Sequence, residues 1–113
     1  MHELSLCEGV VQVIEDQAHL EHFKTVKTVW LEIGVLAGVE IEAMRFGFEA
    51  VIKGSIVEGA KLEIIHQPGL ATCPSCCHTV EITARFDACP DCGSYPLTIT
   101  SGEAMRIKEL EVA

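Results

Sequence analysis

Apolar residues at Leu4, Cys7, Val11, Ile14 and Ala18 recur at three- and four-residue intervals, the spacing that lines one stripe of an α-helix. Leu6, Val10 and Val13 widen the stripe, so a helix is predicted over about residues 4–22, with Cys7 turned inward as a small hydrophobe. In KTVWLEIGVL the period drops to two. Val29, Leu31 and Ile33 alternate with Thr28, Trp30 and Glu32, and the β-branched and aromatic content predicts a strand ending near Gly34. Helical spacing returns through Ile41, Met44, Phe48 and Val51, a second helix that Gly54 ends. Gly47 lies inside it, a weakness of up to about 1 kcal/mol against alanine and a candidate close-packing site. AKLEIIH reads as a second strand closed by QPG. EAMRIKELEV reads as a third, whose apolar parity changes between Ile107 and Leu110 and so predicts a bulge near Lys108 and Glu109.

Residues 69–101 fit neither pattern. They hold five of the six cysteines and three of the four prolines, which marks an insertion between the second and third strands. Both ends of the insert must meet the main body, so those two strands are expected to be antiparallel neighbours with the insert projecting beyond them.

Within the insert, Cys73 and Cys76 form one CxxC pair and Cys89 and Cys92 another, with twelve residues between the pairs. Each pair makes a tight turn that aims two sulfurs at one point, with Gly93 supplying the second turn, and TVEITARF is expected to form a hairpin joining the two. Four converging thiolates make a tetrahedral sulfur site suited to zinc, with iron in a rubredoxin-like site as the rival. A segment this short cannot bury enough surface to fold alone, so metal binding, worth about 10–16 kcal/mol in zinc peptides, must supply the deficit. Four protein ligands leave no position for an activated water, which makes the site structural. The expected fold is therefore α/β (α+β): a small helix-strand-helix-strand-strand domain of residues 1–68 plus 102–113, carrying a zinc-ribbon-like module at 69–101. Cys77 and His78 lie on the flank of the first pair. A c-type haem site would need CxxCH, which this is not.

The net charge of −9, from 17 acidic and 8 scattered basic residues, leaves no basic stripe for phosphates and excludes nucleic acid and anionic membrane as main partners. No apolar run approaches the roughly 20 residues of a membrane span, and Glu3 and Glu8 stand where a signal peptide needs positive charge. A cytoplasmic protein with metal-bound or buried thiols is expected, monomeric or weakly dimeric. Neither a nucleophile paired with a base nor a phosphate loop is recognisable, so the sequence predicts no enzyme.

At the start of the chain, MHELSLC places a Met1 amine, a His2 amide nitrogen and a His2 imidazole where two fused chelate rings can close. Planar nitrogen donors suit nickel(II) or copper(II) better than zinc. An ammonium at the positive end of a helix is disfavoured while a metal-ligating neutral amine is not, and Glu3 can offset the cation or bind the metal. Other candidates have simpler readings. His19 and His22 lie at a helix end that favours imidazolium, His66 sits in a strand, and Glu40, Glu42 and Glu49 form a solvated face.

The opening MHELSLC, the VWLEIG strand and the two CxxC pairs together resemble the HypA/HybF family of hydrogenase maturation factors over essentially the whole chain. The resemblance implies a nickel metallochaperone that works with the GTPase HypB to insert nickel into the [NiFe]-hydrogenase large subunit. It places labile Ni(II) at Met1, His2 and Glu3, and structural Zn(II) at Cys73, Cys76, Cys89 and Cys92. Cys77 departs from the family pattern. Rival readings are a zinc-ribbon adaptor without nickel chemistry and a rubredoxin-like electron carrier.

Overall fold

A computed structural model describes residues 2–113. In chain order the elements are α1 (His2–Glu21), β1 (Val26–Gly34), α2 (Ile41–Val51), β2 (Lys61–Gln67), β3 (Gly69–Thr72), β4 (Thr79–Ile82), β5 (Thr98–Ser101) and β6 (Met105–Val112). They form two three-stranded sheets, ordered β2-β1-β6 and β4-β3-β5. This is the small α+β fold that the periodicity predicts.

One expectation fails. β2 and β6 are not neighbours, because β1 lies between them. The cause is visible in β1, where Val26, Thr28, Val29, Leu31, Glu32, Ile33 and Gly34 are all buried, so that both faces are covered. A strand covered on both faces is most stable in the middle of a sheet, and the half-exposed β2 and β6 take the edges. β6 runs antiparallel to β1, with Gly34 N–H donating to Ala104 O at 2.9 Å near one end and Ala113 N–H to Thr25 O at 3.0 Å near the other. β1 and β2 are joined through α2 and their carboxyl ends meet, Val35 N–H donating to Gln67 O at 2.9 Å, as in a parallel crossover.

The alternation in β1 therefore does not separate core from solvent. Thr28 and Glu32 are buried polar residues with partners: Thr28 Oγ1 donates to Glu111 Oε1 at 2.8 Å. Glu32 receives Gln67 Nε2 at 2.6 Å on one oxygen and Arg106 Nε on the other. Along β6 the half-buried positions are Met105, Ile107 and Leu110, so the parity does change where the sequence indicates.

The chain divides into two compact units: Met1–Leu31, Val39–Ile64 and Ile107–Ala113 in the first, Glu32–Gly38 and Ile65–Arg106 in the second. In the first, α1 and α2 pack together around Cys7, Val10, Val11, Ile14, Met44 and Phe48. Val13, expected on the buried stripe, is instead exposed. The Cys7 sulfur lies 3.4 Å from Met44 O and 3.8 Å from Met44 Sδ. Burial, followed by Glu3 and Glu8, pushes this thiol above its ordinary pKa, so it behaves as an inert core group. Gly47 is indeed a close-packing site, since a Cβ there would meet Cys7 Sγ at 3.3 Å. α2 spans its apolar pattern, starting after Glu40, whose carboxylate accepts Glu42 N–H at 3.2 Å, and ending at Val51 with Ile52 as its cap, before Gly54.

In the second unit three chain segments converge at glycines. A Cβ on Gly34 would lie 2.0 Å from Gly102 O, one on Gly102 would lie 2.6 Å from Pro68 O, and one on Gly69 would lie 2.6 Å from Ile82 O. Only hydrogen at these positions lets the backbones pass. Leu36, from the connection after β1, joins the apolar cluster of this unit with Ala71, Val80, Ile82 and two of the cysteines.

Candidate metal centre

The two sheet strands that frame the first CxxC pair explain how it is held. β3 and β4 are antiparallel with Thr72 opposite Thr79, so residues 73–78 are the turn of a hairpin. The expected hairpin within TVEITARF is not formed: TVEI pairs back with GLAT, and residues 83–87 make a turn of their own. The reason is that the Cys73 turn already reverses the chain, which leaves β4 beside β3 rather than beside its own continuation. β5 covers the other edge of β3, with a register irregularity between Leu70 and Ala71.

The two cysteine turns are built alike. Cys73 N–H donates to His78 O at 2.9 Å and Cys77 N–H to Cys73 O at 2.7 Å; Cys89 N–H donates to Ser94 O at 2.9 Å and Gly93 N–H to Cys89 O at 2.7 Å. The fifth residue of each turn needs a left-handed backbone, φ +62° at Cys77 and +77° at Gly93. Cys77 thus fills a glycine position and stands outside the sulfur cluster, exposed. The repeat CPSCCH and CPDCGS carries this equivalence in the sequence, a signal that reading the CxxC pairs alone passes over.

Cys73, Cys76, Cys89 and Cys92 bring their sulfurs within 4.8 Å of one another, with Cys73 and Cys92 3.5 Å apart and Cys76 and Cys89 3.8 Å apart. A tetrahedral zinc with bonds of about 2.3 Å requires sulfurs about 3.8 Å apart, so the donor set fits one such ion. Cys73 and Cys89 are buried, Cys76 half-buried and Cys92 exposed.

Without a cation four thiolates cannot coexist at this distance. At Cys76 the His78 backbone N–H favours the thiolate, but desolvation and the facing thiols of Cys73, Cys89 and Cys92 outweigh it and push the group up to about 12. At Cys92 the Ser94 hydroxyl, 3.3 Å away, and the Ser94 backbone N–H act first, and with Cys73 they hold the thiol down at about 6. Beside the cluster His78 Nδ1 lies 3.2 Å from Asp91 Oδ2, and the ligand atoms of Cys76, His78 and Asp91 also lie within 4.8 Å of one another.

At the other candidate site, Met1 lies outside the described residues. His2 opens α1 and is exposed, its Nδ1 3.5 Å from Glu3 Oε2. The same Glu3 oxygen accepts Glu40 N–H at 3.2 Å. That bond, then the Glu3 backbone N–H and the neighbouring His2, hold the Glu3 carboxyl below its ordinary pKa against slight desolvation. Among the described residues, His19, His22 and His66 join no three-residue metal-ligating group.

A family model described as "Hydrogenase/urease nickel incorporation, metallochaperone, hypA" matches residues 1–112. The chain is 57% identical to the hydrogenase maturation factor HypA of Azotobacter chroococcum mcd 1 and 53% identical to that of Alkalilimnicola ehrlichii, over 99% of each chain in both cases. Among solved structures it is similar to the solution structure of the Ni metallochaperone HypA from Helicobacter pylori, with a TM-score of 0.71 at 25% identity, covering 97% of this chain and 96% of that one. With the predicted fold formed and four cysteines gathered at one point, the chain belongs to the HypA family of nickel metallochaperones that serve hydrogenase maturation.

Proposed function

We propose that this chain carries Ni(II) at its N-terminus and hands it to the [NiFe]-hydrogenase large subunit in the cytoplasm, with HypB as the partner GTPase. It is not itself an enzyme: the energy for delivery comes from the partner's nucleotide hydrolysis. Met1 amine, His2 amide and imidazole grip the ion, and the Glu3 carboxylate stands beside them. The nickel part comprises residues 1–68 and 102–113, the zinc module residues 69–101, and the protein acts as a monomer or weak homodimer.

The observation that carries this reading is the placement of His2. Because it opens α1, its amide is among the first-turn N–H groups that have no intrahelical acceptor, so metal binding there costs no helix hydrogen bond. The Glu3 carboxylate, held by Glu40 N–H within 3.5 Å of the imidazole, adds a fixed negative charge for the cation. Labile nitrogen ligation beside the exposed His2 suits release by ligand exchange. Thiolates at Cys73, Cys76, Cys89 and Cys92 suit permanent zinc, which when bound supplies the cross-link holding both turns together.

Nickel and zinc stoichiometry on untagged protein tests the proposal. The terminal grip requires a free Met1 amine, so both His2→Ala and a chain extended before Met1 are expected to lose nickel while keeping one zinc per chain. Nickel affinity unchanged in either variant would overturn the grip. A coloured, iron-loaded protein would favour the rubredoxin-like electron carrier instead.

A further inference from the structure

The zinc-module core is not closed by the insert alone. Leu36, from the connection between β1 and α2, is 5% exposed and sits in one apolar cluster with Cys73 and Cys89, the two buried cysteines of the sulfur site. Its backbone is fixed on both sides of the residue: Leu36 N–H donates to Gly102 O at 2.8 Å, and Leu36 O accepts Arg85 Nη2 at 2.9 Å. Arg85 is itself paired through Nη1 with Glu103. The turn bearing Arg85 is tied by Asp87, whose Oδ2 accepts Thr83 N–H at 3.1 Å and Ala84 N–H at 3.2 Å. A side chain far from the cysteines in sequence is thus held in place by polar groups of the module and of the segment that follows it.

We infer that Leu36 is a positioning residue for the metal ligands: seated against Gly69, it closes one end of the apolar cluster to which Cys73 and Cys89 belong, holds the strand that leads into Cys73, and so sets how fast zinc escapes. The inference rests on the zinc reading above. Zinc leaves a four-thiolate site when water or a proton reaches a metal-bound sulfur, and the buried sulfurs are the ones whose attack the core must prevent. Truncating Leu36 opens that core at its Gly69 end and loosens the strand that carries Cys73. The surroundings of a metal site typically change metal affinity on the order of 10- to 100-fold when altered.

The test is the rate of zinc transfer to a colorimetric chelator from the full-length protein, with zinc content measured first. Leu36→Ala is expected to release zinc at least about tenfold faster than wild type, and Leu36→Met, which refills the space, to restore most of the retention. Arg85→Met, which frees the Leu36 carbonyl but alters a half-exposed side chain, is expected to speed release several-fold and covers the case in which Leu36→Ala does not fold. Ile14→Ala, in the core of the other unit, and Val35→Ala, exposed beside Leu36, serve as controls expected to release zinc as wild type does. Zinc release unchanged in both Leu36→Ala and Arg85→Met overturns the inference alone. Release accelerated equally in Ile14→Ala also overturns it, because retention would then follow global stability. A wild-type chain holding no zinc overturns the zinc reading and this inference with it.

Discussion

Gly34→Ala should be among the most damaging single-methyl additions to this chain. The new Cβ would lie 2.0 Å from Gly102 O, 2.3 Å from Gly102 C and 2.8 Å from Gly102 Cα, all backbone atoms that no rotamer change can move. Gly102, at φ +92°, is itself closely approached, since a Cβ on it would meet Pro68 O at 2.6 Å and Gly69 Cα at 2.7 Å, so little space is open for it to shift into on that side. Relief of more than an ångström must separate the segments and so strain Leu36 N–H to Gly102 O and Gly34 N–H to Ala104 O, 2.8 and 2.9 Å in the native fold. Each backbone bond is worth about 1 kcal/mol net, and each group left buried without a partner costs a further 1–3 kcal/mol or so. A loss of about 3–5 kcal/mol follows, a large part of the 5–15 kcal/mol or so that stabilises a domain. Urea unfolding of zinc-loaded protein followed by circular dichroism measures it. Gly9→Ala is the control: that glycine lies in α1 with open space around it, so alanine should stabilise by up to about 1 kcal/mol. A Gly34→Ala protein within 1 kcal/mol or so of wild type would refute the account of converging backbones.

Three further outcomes can be checked. Cys77→Gly should keep one zinc per chain and stabilise by up to about 1 kcal/mol in urea unfolding, because it relieves a left-handed backbone that Gly93 adopts freely in the equivalent turn. Gly47→Ala should be nearly neutral in the wild-type chain, where the 3.3 Å approach to Cys7 Sγ offsets the gain in helix propensity; in a Cys7→Ala background the full gain of up to about 1 kcal/mol should appear, as a double-mutant cycle in urea. Zinc affinity should fall with pH, and more steeply below pH 6. At pH 7 zinc must displace the Cys76 proton, held up to about 12, but not one from Cys92, which ionises at about 6. Below that pH Cys92 takes up a proton that zinc must also displace, which adds about tenfold per pH unit to the loss. Chelator competition between pH 5 and 8 measures the slope, and a constant slope through pH 6 would contradict it.

The two helices and the strands β1, β2 and β6 were legible because each rests on local periodicity, whereas β3 and β5 were not. Cys7, Val11 and Ile14 do face the core, Met44 and Phe48 are buried as their spacing requires, and the parity break in β6 falls where the apolar residues place it. The four cysteines were legible for a similar reason: a CxxC turn aims its sulfurs by local geometry. Less visible was everything that depends on which strand lies beside which. Thr28 and Glu32 look like a solvent face until β1 is seen in the centre of its sheet, where Glu111, Gln67 and Arg106 supply their partners. Val13 follows the helical stripe closely enough to be assigned to the core, yet it is half exposed.

By itself, then, the order of residues determined the helices, the strands β1, β2 and β6, the metal-ligating types and the family resemblance, since these depend on spacings of a few positions along one chain. The three-dimensional arrangement alone decided the strand order, the pairing within the cysteine module, the close approaches at Gly34, Gly69 and Gly102, and the inclusion of Leu36 in the apolar cluster that holds Cys73 and Cys89. Those features join residues distant in sequence, and their energy comes from close approach and shared burial, quantities that no short-range pattern contains.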